Sequence, residues 1–356
     1  MQKKILSHLE KCYSIAPLHY KGKNHILVAA EKTDRCILFD IEGKEEETVW
    51  TQPGGVMTMV QVPGTDGQFL ATHKFYSPND SKEAKIIIAT PEDGKWNIRT
   101  LVDLPFVHRF DILESEGKHY LIACCLKSGH EYKDDWSSPG RVYAALLPDD
   151  LSDFNEDHQL ELTVLKDDML KNHGYYRVER EGKMSSLVCC DGGVFRFYPP
   201  TKENANWTIE TLVETAASDA VLADFDEDGK DELLVMSPFH GDTIQIYREK
   251  DGKFQLEYEH PEKLEFLHAI WSGKIQGKTV AVIGHRKGNR DLLLFSWENG
   301  QYKAEQIDHD CGTANAYGFQ KDGKDYVIAT NREINEIAMY EFCLLYTSPS
   351  PRDTER

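Results

Sequence analysis

The chain has 356 residues and carries 60 acidic against 41 basic side chains, which gives a formal net charge of −19 at pH 7. This balance argues against a nucleic-acid partner, because phosphate backbones are bound by basic surfaces. Hydrophobic residues make up 40% of the sequence, which is enough for a packed core, and no run of apolar residues is long enough to span a membrane.

The N-terminus and the cysteines favour a cytoplasmic protein. Residues 1–10 contain two lysines but lack the apolar segment of a secretory signal peptide. The eight cysteines show no spacing typical of a disulfide framework, and Cys124, Cys125, Cys189 and Cys190 lie inside apolar segments. We therefore expect reduced, buried cysteines and a cytoplasmic location.

Seven segments of the chain share one pattern, a turn that contains glycine followed by an apolar strand that ends on small residues. Their average spacing is about 50 residues, which is the size of one four-stranded propeller blade. The pattern therefore predicts seven repeats of one β-structured unit. The glycines of the seven turns are Gly22, Gly67, Gly117, Gly182, Gly229, Gly277 and Gly323.

Two further strands follow in each repeat. The third strands are rich in β-branched and aromatic residues, and the fourth strands, such as residues 96–104 and 207–215, alternate polar and apolar side chains. The seventh repeat ends after its third strand at Phe342, whereas residues 3–11 form a strand that precedes the first repeat. The sequence thus predicts an all-β fold, a single seven-bladed β-propeller of four-stranded blades over residues 1–342, closed by its N-terminal strand.

The last fourteen residues, 343–356, do not continue this pattern. Their first part, CLLYTSPSPRD from Cys343, looks like an in-frame translation of a sequencing adapter. We therefore expect residues 343–356 to be non-native and exclude them from the fold. A natural disordered tail is the alternative, and a lost C-terminal domain remains open.

One of the glycine turns, DFDEDGKDE, is rich in carboxylates. It resembles the loop of the FG-GAP/VCBS propeller family, which includes integrin-α-type propellers. The resemblance implies one structural Ca²⁺, and carboxylates at alternate positions are suitable ligands for this hard cation. A solvated acidic turn is the alternative, and the six other turns lack the carboxylate set. The implied ligands are Asp224, Asp226, Asp228, the Lys230 carbonyl and Glu232.

In a propeller of this kind, the loops after the second strand and before the first strand lie on one face, around the central channel. These loops contain seven of the fourteen histidines. His108, His173 and His268 occupy corresponding positions in three blades, so we expect their side chains to converge. Such a cluster suits a second divalent metal or a proton-transferring base. Taken singly, each is more simply a hydrogen-bonded structural histidine.

The same loops carry groups that suit a small anionic or carbohydrate ligand, because cations stabilise a developing oxyanion. Ion pairs with Asp219 and Glu333 are the alternative for these cations. Trp136 lies in the longest insertion, residues 127–140, which we expect to be a lid or binding loop; the alternative is that Trp136 packs its own loop. The candidate substrate-binding residues are Lys74, Arg109, Trp136, His285, Arg286, Asn331 and Arg332.

The sequence contains no motif for acyl transfer, nucleotide hydrolysis or zinc proteolysis, which leaves general acid–base chemistry. One hypothesis is a carbohydrate-active lyase or dehydratase that performs β-elimination on a keto-sugar or uronate. It rests partly on a weak resemblance to propeller polysaccharide lyases and aldos-2-ulose dehydratases. The alternative is a non-catalytic FG-GAP/VCBS propeller that binds a protein or glycan partner. The candidate catalytic residues are His73, Tyr76, His108, His130, His173 and His268.

Overall fold

The computed structural model describes residues 1–342, which form seven antiparallel sheets of four strands each. The only helix in this range is a single 3-10 turn, Arg332–Ile334. The sheets follow one another along the chain and surround a central channel. The prediction of a seven-bladed β-propeller is therefore confirmed, while the expectation for residues 343–356 lies outside the described residues.

The strand bounds follow the predicted repeats. Blade 1 comprises β2 (Cys12–Tyr20), β3 (Lys23–Ala30), β4 (Cys36–Asp40) and β5 (Glu45–Trp50), and blade 2 comprises β6 (Met59–Gln61), β7 (Phe69–His73), β8 (Lys85–Glu92) and β9 (Lys95–Asp103). Blade 3 comprises β10 (Val107–Ser115), β11 (Lys118–Lys127), β12 (Pro139–Leu147) and β13 (Thr163–Met169), and blade 4 comprises β14 (Gly174–Arg180), β15 (Lys183–Cys190), β16 (Gly193–Tyr198) and β17 (Thr208–Val213).

The remaining blades repeat this arrangement. Blade 5 comprises β18 (Asp219–Ala223), β19 (Glu232–Ser237), β20 (Thr243–Lys250) and β21 (Lys253–Glu259), and blade 6 comprises β22 (Leu267–Ile275), β23 (Lys278–His285), β24 (Leu292–Glu298) and β25 (Gln301–Asp308). Blade 7 comprises β26 (Thr313–Lys321), β27 (Lys324–Asn331) and β28 (Glu336–Phe342), with β1 (Gln2–His8) as its fourth strand.

The seven predicted glycines all lie in the hairpin between the first and second strands of a blade. In the hairpin between β2 and β3, the two turn residues Lys21 and Gly22 have φ values of 51° and 69°. A two-residue turn with positive φ at both positions matches the twist of the strands it joins, and glycine adopts such a φ without a steric penalty. All seven glycines have a positive φ, which explains why a glycine recurs in this connection of every repeat.

Apolar packing between neighbouring blades forms the core. Leu27 and Leu38 of blade 1, for example, belong to the same buried cluster as Phe69 and Ile87 of blade 2. The middle strands are the most buried, as in β19, where every residue is buried, whereas the outer strand β1 is mostly exposed. This gradient explains why the second strands are continuous apolar runs and the fourth strands alternate.

The ring closes where the N-terminal strand joins the last blade. β1 pairs antiparallel with β28, and the Lys3 ammonium lies 2.7 Å from carboxylate oxygens of both Asp308 and Glu336. The Leu9 amide donates to the Asn335 carbonyl at 3.0 Å. These contacts confirm closure by the N-terminal strand, which ends three residues earlier than predicted because the chain turns at Glu10 and Lys11 to enter β2.

The ring has two faces. The top face carries the loops that enter the first strands and the loops that join second to third strands, and the bottom face carries the hairpins between first and second strands. The seven cysteines within residues 1–342 are buried and form no disulfide. No helix in the described part of the chain has the length and apolar character needed to cross a lipid bilayer.

We expect Leu9→Ala to destabilise the ring at its closure. Leu9 is 1% exposed and packs with Ile328 and Ile337 of blade 7 and Ile26 of blade 1, so truncation should lower the free energy of unfolding by about 2–5 kcal/mol. Ile5→Ala, at a side chain that is 52% exposed, is the control and should cost less than about 0.5 kcal/mol. Equal effects in urea unfolding would contradict this account of closure.

Candidate functional site

A β-bulge opens the first strand of several blades at the top face. The extra residue is His108 in β10, His268 in β22 and Tyr13 in β2, each between two residues that pair with the second strand. A bulge leaves one residue outside the ladder and changes the direction of its side chain. In these blades the bulge directs an aromatic or imidazole ring towards the channel axis.

Four histidines meet at the top of the channel. The ring centre of His173 lies 4.5 Å from that of His108, 4.9 Å from that of His240 and 5.3 Å from that of His268. The predicted convergence of His108, His173 and His268 therefore occurs, and His240 joins them from the loop between β19 and β20. We call these four residues the histidine cluster.

Hydrogen bonds to the neighbouring blade fix three of these rings. The Nδ1 atoms of His108, His173 and His268 lie 3.1, 3.2 and 2.8 Å from the carbonyl oxygens of His173, Ser218 and Ala314. A carbonyl only accepts, so each Nδ1 must carry the hydrogen and donate it. The Nε2 atom of each ring is then left with a free lone pair. His268 Nε2 uses this lone pair to accept the Tyr13 hydroxyl at 3.1 Å.

Burial keeps the cluster uncharged. Burial lowers the pKa of His173 to about 3, with the nearby Arg109 and Arg286 cations acting in the same direction. The pKa values of His108, His240 and His268 are likewise held well below the ordinary range, chiefly by burial. All four imidazoles are therefore neutral at pH 7, and a neutral imidazole nitrogen has a lone pair that can accept a hydrogen bond or bind a metal cation.

Aromatic rings cover the cluster on the top face. His240 stacks between Phe239 and Phe266, with ring centres 3.9 and 4.3 Å away, and Trp136 meets the edge of Phe239 at 5.5 Å. The Lys127 ammonium lies 4.1 Å from the centre of the Trp136 ring, so Trp136 contacts both its own loop and Phe239 of blade 5. The top of the channel is closed by this layer.

Below the cluster, the first strands enclose a cavity of about 440 Å³. The exposure of its lining increases downwards, from the buried His268 to the exposed Pro17 and Arg177. The cavity is therefore accessible from the bottom face. The sequence predicted that a ligand would enter from the opposite, top face. Its polar lining includes Arg109, Asp219, His268 and Asn315.

Arg109 and Asp219 are two charged groups that line the cavity beside the cluster. The Arg109 guanidinium donates to the Met57 carbonyl at 2.8 Å and to Asn315 Oδ1 at 3.4 Å, and no carboxylate within residues 1–342 forms an ion pair with it. Asp219 is 3% exposed, and its Oδ1 has no hydrogen-bond partner among the described residues. Burial raises the pKa of Asp219 to about 7, against the opposing effect of Arg109.

Gly174 allows Asp219 to lie beside His173. A Cβ atom at position 174 would lie 2.5 Å from the Ser218 carbonyl oxygen and 2.7 Å from Asp219 Oδ1. Any larger residue would therefore push blade 5 away from blade 4 at the level of the cluster. The site thus depends on a glycine at the start of β14 as well as on its polar side chains.

The other predicted cations are engaged in ion pairs. Arg286 and Arg332 share the Glu333 carboxylate, each at 2.8 Å, and Arg332 also pairs with Glu31. Lys74 pairs with Glu83 at 3.2 Å. The alternative of ordinary ion pairs therefore describes these three side chains, and Arg109 is the one predicted anion-binding cation that lines the cavity.

The remaining predicted side chains lie outside the cluster. His73 packs against Trp50, and His130 packs against Phe106. Tyr76 lies in the loop after β7, and its carbonyl accepts the Lys32 ammonium. The structure does not bring these three residues to the cavity.

Two further predicted ligand-binding residues are held by hydrogen bonds inside their own blades. The Asn331 amide donates to Glu336 Oε1 and to the Tyr340 hydroxyl, at 2.9 and 3.0 Å. His285 Nδ1 faces the Lys287 carbonyl at 2.9 Å, and its Nε2 accepts the Asp291 amide at 3.0 Å. Neither side chain lines the cavity.

Three carboxylates of the acidic turn accept hydrogen bonds from backbone amides of the same turn. The Gly229 amide donates to Asp224 Oδ2 at 3.0 Å. The Asp228 amide donates to Asp226 Oδ1 at 3.2 Å, and the Lys230 amide donates to Asp228 Oδ1 at 2.9 Å. Asp224 Oδ1 and Glu232 Oε1 are buried and have no hydrogen-bond partner within residues 1–342. Glu232 Oε1 lies against the Arg248 guanidinium, so Asp224 Oδ1 is the oxygen of this pair without any charged or hydrogen-bonding partner, and such an oxygen fits a hard cation such as Ca²⁺.

Arg248 of β20 already places a positive charge against this turn. Its guanidinium lies 2.6 Å from Asp226 Oδ2 and 3.0 Å from Asp228 Oδ2. It also lies 3.1 Å from Glu232 Oε1, without the geometry of a hydrogen bond. Burial raises the pKa of Glu232 to about 7, and Arg248 opposes this rise. A cation in the loop and the Arg248 guanidinium would share the same carboxylates.

We expect acid to destabilise the protein partly through His73. Burial lowers its pKa to about 3, whereas an unfolded histidine titrates near about 6.5. Between these values only the unfolded state gains the proton, so His73 should reduce the free energy of unfolding by about 1.4 kcal/mol per pH unit as pH falls. In urea unfolding between pH 6 and 4, His73→Leu should lose this part of the slope, and the exposed control His8→Gln should keep it. Identical slopes in both variants would contradict the prediction.

Comparisons with known proteins support the fold alone. No protein-family model and no curated protein matches the chain, so membership of the FG-GAP/VCBS family stays a prediction. Among the solved structures that match is the β-propeller domain of Cps50 (Swd1) from Myceliophteria thermophila, at 10% sequence identity and a TM-score of 0.61. The alignment covers 96% of this chain and 100% of that chain. The chain thus has the β-propeller fold, and its function must be argued from its site.

Proposed function

We propose that the central channel binds a small anionic carbohydrate, a uronate or keto-sugar, and catalyses its β-elimination by acid–base chemistry. The observation that carries the proposal is the position of Arg109 and Asp219 on the same cavity. One is a guanidinium without a carboxylate partner in the described chain, and the other is a buried carboxylate with a free oxygen. The two groups supply an anion-binding cation and a proton acceptor at one place.

Arg109 is the proposed anchor of the substrate carboxylate or carbonyl. Its guanidinium is held by the Met57 carbonyl and Asn315, so it is oriented before a ligand arrives. A guanidinium can donate two parallel hydrogen bonds to a carboxylate and stabilises the negative charge that grows on the substrate during proton removal. A cavity of about 440 Å³ is of the size that holds a small-molecule ligand.

Asp219 is the proposed base. It would take the proton from the carbon next to the carboxylate or carbonyl. The electron pair of that C–H bond would then form a C=C bond to the neighbouring carbon, and the C–O bond between that neighbouring carbon and the leaving group would break. The leaving oxygen takes up a proton from water or from a cavity side chain, so atoms and charge balance without an oxidant or reductant. Tyr13 would act as a positioning residue, because its hydroxyl orients the His268 ring at the top of the cavity.

Two variants should separate binding from catalysis. Arg109→Gln should reduce kcat/KM by about 10–150-fold, because it removes a charged hydrogen bond to the substrate. Asp219→Asn should lower kcat by about 10²–10⁴-fold while calorimetry still detects binding. The assay is ultraviolet absorption of the unsaturated product with uronate oligomers and keto-sugars, and Arg290→Gln, at a surface ion pair with Asp310, is the control.

The outcomes distinguish the two functions. Binding without product, weakened by Arg109→Gln, would replace the lyase with the non-catalytic binding module. Absence of both binding and turnover with every uronate and keto-sugar tested would overturn the proposal for the channel. A ligand that binds equally well to the wild type and to Arg109→Gln would place the binding site elsewhere.

We also propose that the acidic turn binds one structural Ca²⁺, with Arg248 as its competitor. The buried Asp224 Oδ1, which has no partner in the described chain, supports the ion, and the three carboxylates near Arg248 support the competition. The ion would lie on the bottom face between β18 and β19, at the edge of blade 5. Its role would be to stabilise the turn.

Calcium should raise the melting temperature, because a ligand that binds only the folded state stabilises it by RT ln(1 + [L]/Kd), about 2.7 kcal/mol at 100 times Kd. Arg248→Gln should melt lower than the wild type in EDTA and gain more from added Ca²⁺. The control is Arg35→Gln, at a surface pair with Glu45. Melting temperatures that do not respond to Ca²⁺ in either Arg248→Gln or the wild type would contradict the site.

A further inference from the structure

We propose that His173, His240 and His268 form a three-histidine site for a divalent transition metal such as Zn²⁺. One ligand nitrogen from each residue lies within 4.8 Å of the other two. The three side chains come from blades 4, 5 and 6, so the ion would join three neighbouring blades at the closed end of the channel. The corresponding positions in the sequence predicted His108 as the third member of this set, where the geometry favours His240.

The hydrogen-bond pattern favours metal binding over a purely structural role. His173 and His268 use Nδ1 to donate to backbone carbonyls, which is how metal-binding histidines are commonly oriented. The Nε2 atoms of His173 and His240 are buried and have no hydrogen-bond partner in the described chain. A buried polar atom without a partner costs free energy, which a bound cation would recover.

The local backbone of His240 also supports the site. His240 has a φ of 49°, a left-handed conformation that is uncommon outside glycine and often occurs at functional positions. This conformation turns the imidazole under the loop, where it stacks between Phe239 and Phe266 and approaches His173. The loop thus places a buried nitrogen without a hydrogen-bond partner next to His173.

The donor set selects the class of metal. Three imidazole nitrogens suit Zn²⁺, Co²⁺, Ni²⁺ or Cu²⁺, whereas Ca²⁺ and Mg²⁺ require oxygen ligands. The carboxylate of Asp219 lies 3.8 Å from His173 Nδ1, on the side of that ring away from the proposed ion. Tyr13 competes for one position, because its hydroxyl donates to His268 Nε2 at 3.1 Å and must release that nitrogen to the metal.

The test measures metal binding and not activity, so its result is independent of the proposed elimination. Chelator-treated full-length protein is titrated with Co²⁺, and bound metal is measured by elemental analysis and by visible absorption of nitrogen-coordinated Co²⁺. We expect one equivalent with the imidazole spectrum in the wild type and at least a tenfold weaker affinity in His173→Gln and in His240→Gln. Circular dichroism confirms that each variant is folded.

Two further variants complete the test. His73→Leu removes a histidine that is equally buried but lies alone beside Trp50, and it should retain the full equivalent. Tyr13→Phe should bind Co²⁺ at least as tightly as the wild type, because it removes the competing hydroxyl. Wild-type protein without an imidazole-type Co²⁺ spectrum at saturating metal would overturn the proposal. Unchanged affinity in folded His240→Gln, whose side chain lies in a half-buried loop, would overturn it as well.

Discussion

The pairing of β1 with β28 is the contact on which the rest of the structure depends. Without it, the seven sheets would be a chain of blades with two open edges, and the channel would have no fixed diameter. Closure brings Lys3 to Asp308 and Glu336 and places Leu9 in the core between the last and first blades. The positions of Arg109, Asp219 and the histidine cluster across the axis follow from that closed ring, because they come from different blades.

Contacts between neighbouring blades also determine the chemistry of the channel. The imidazoles of His108, His173 and His268 each donate to a backbone carbonyl of the following blade, so the bonds that join blades also select the tautomer. The apolar packing that surrounds the rings keeps them neutral. Stability and reactivity therefore share the same hydrogen bonds, and the polar site requires no long functional loop of its own.

Much of the fold could be predicted from the sequence because one pattern recurs seven times, and the hairpin glycines mark its phase. Convergence of His108, His173 and His268 could be predicted for the same reason, since they hold corresponding positions. The polar residues of the cavity also occupy corresponding positions in their blades, because each pairs with a residue near the end of the second strand. The pairs are Arg109 with Cys124, Asp219 with Met236 and Asn315 with Thr330. This correspondence is visible in the sequence but was not among the signals that led to the prediction. His240 depends on how its loop folds back, and Arg248 lies a full strand beyond the acidic turn; neither position follows from local pattern.

The bulge positions have a consequence for how such a channel can change. Tyr13, His108, His268 and Ala314 are the extra residues of bulges in four blades and take no part in the register of the first two strands. A substitution there alters a group at the axis and leaves the strand ladder intact. The top of the channel thus has several equivalent bulge positions in different blades. They carry a phenol in blade 1, imidazoles in blades 3 and 6 and a methyl group in blade 7. New axial chemistry can arise in this fold by single substitutions, without insertion of a loop.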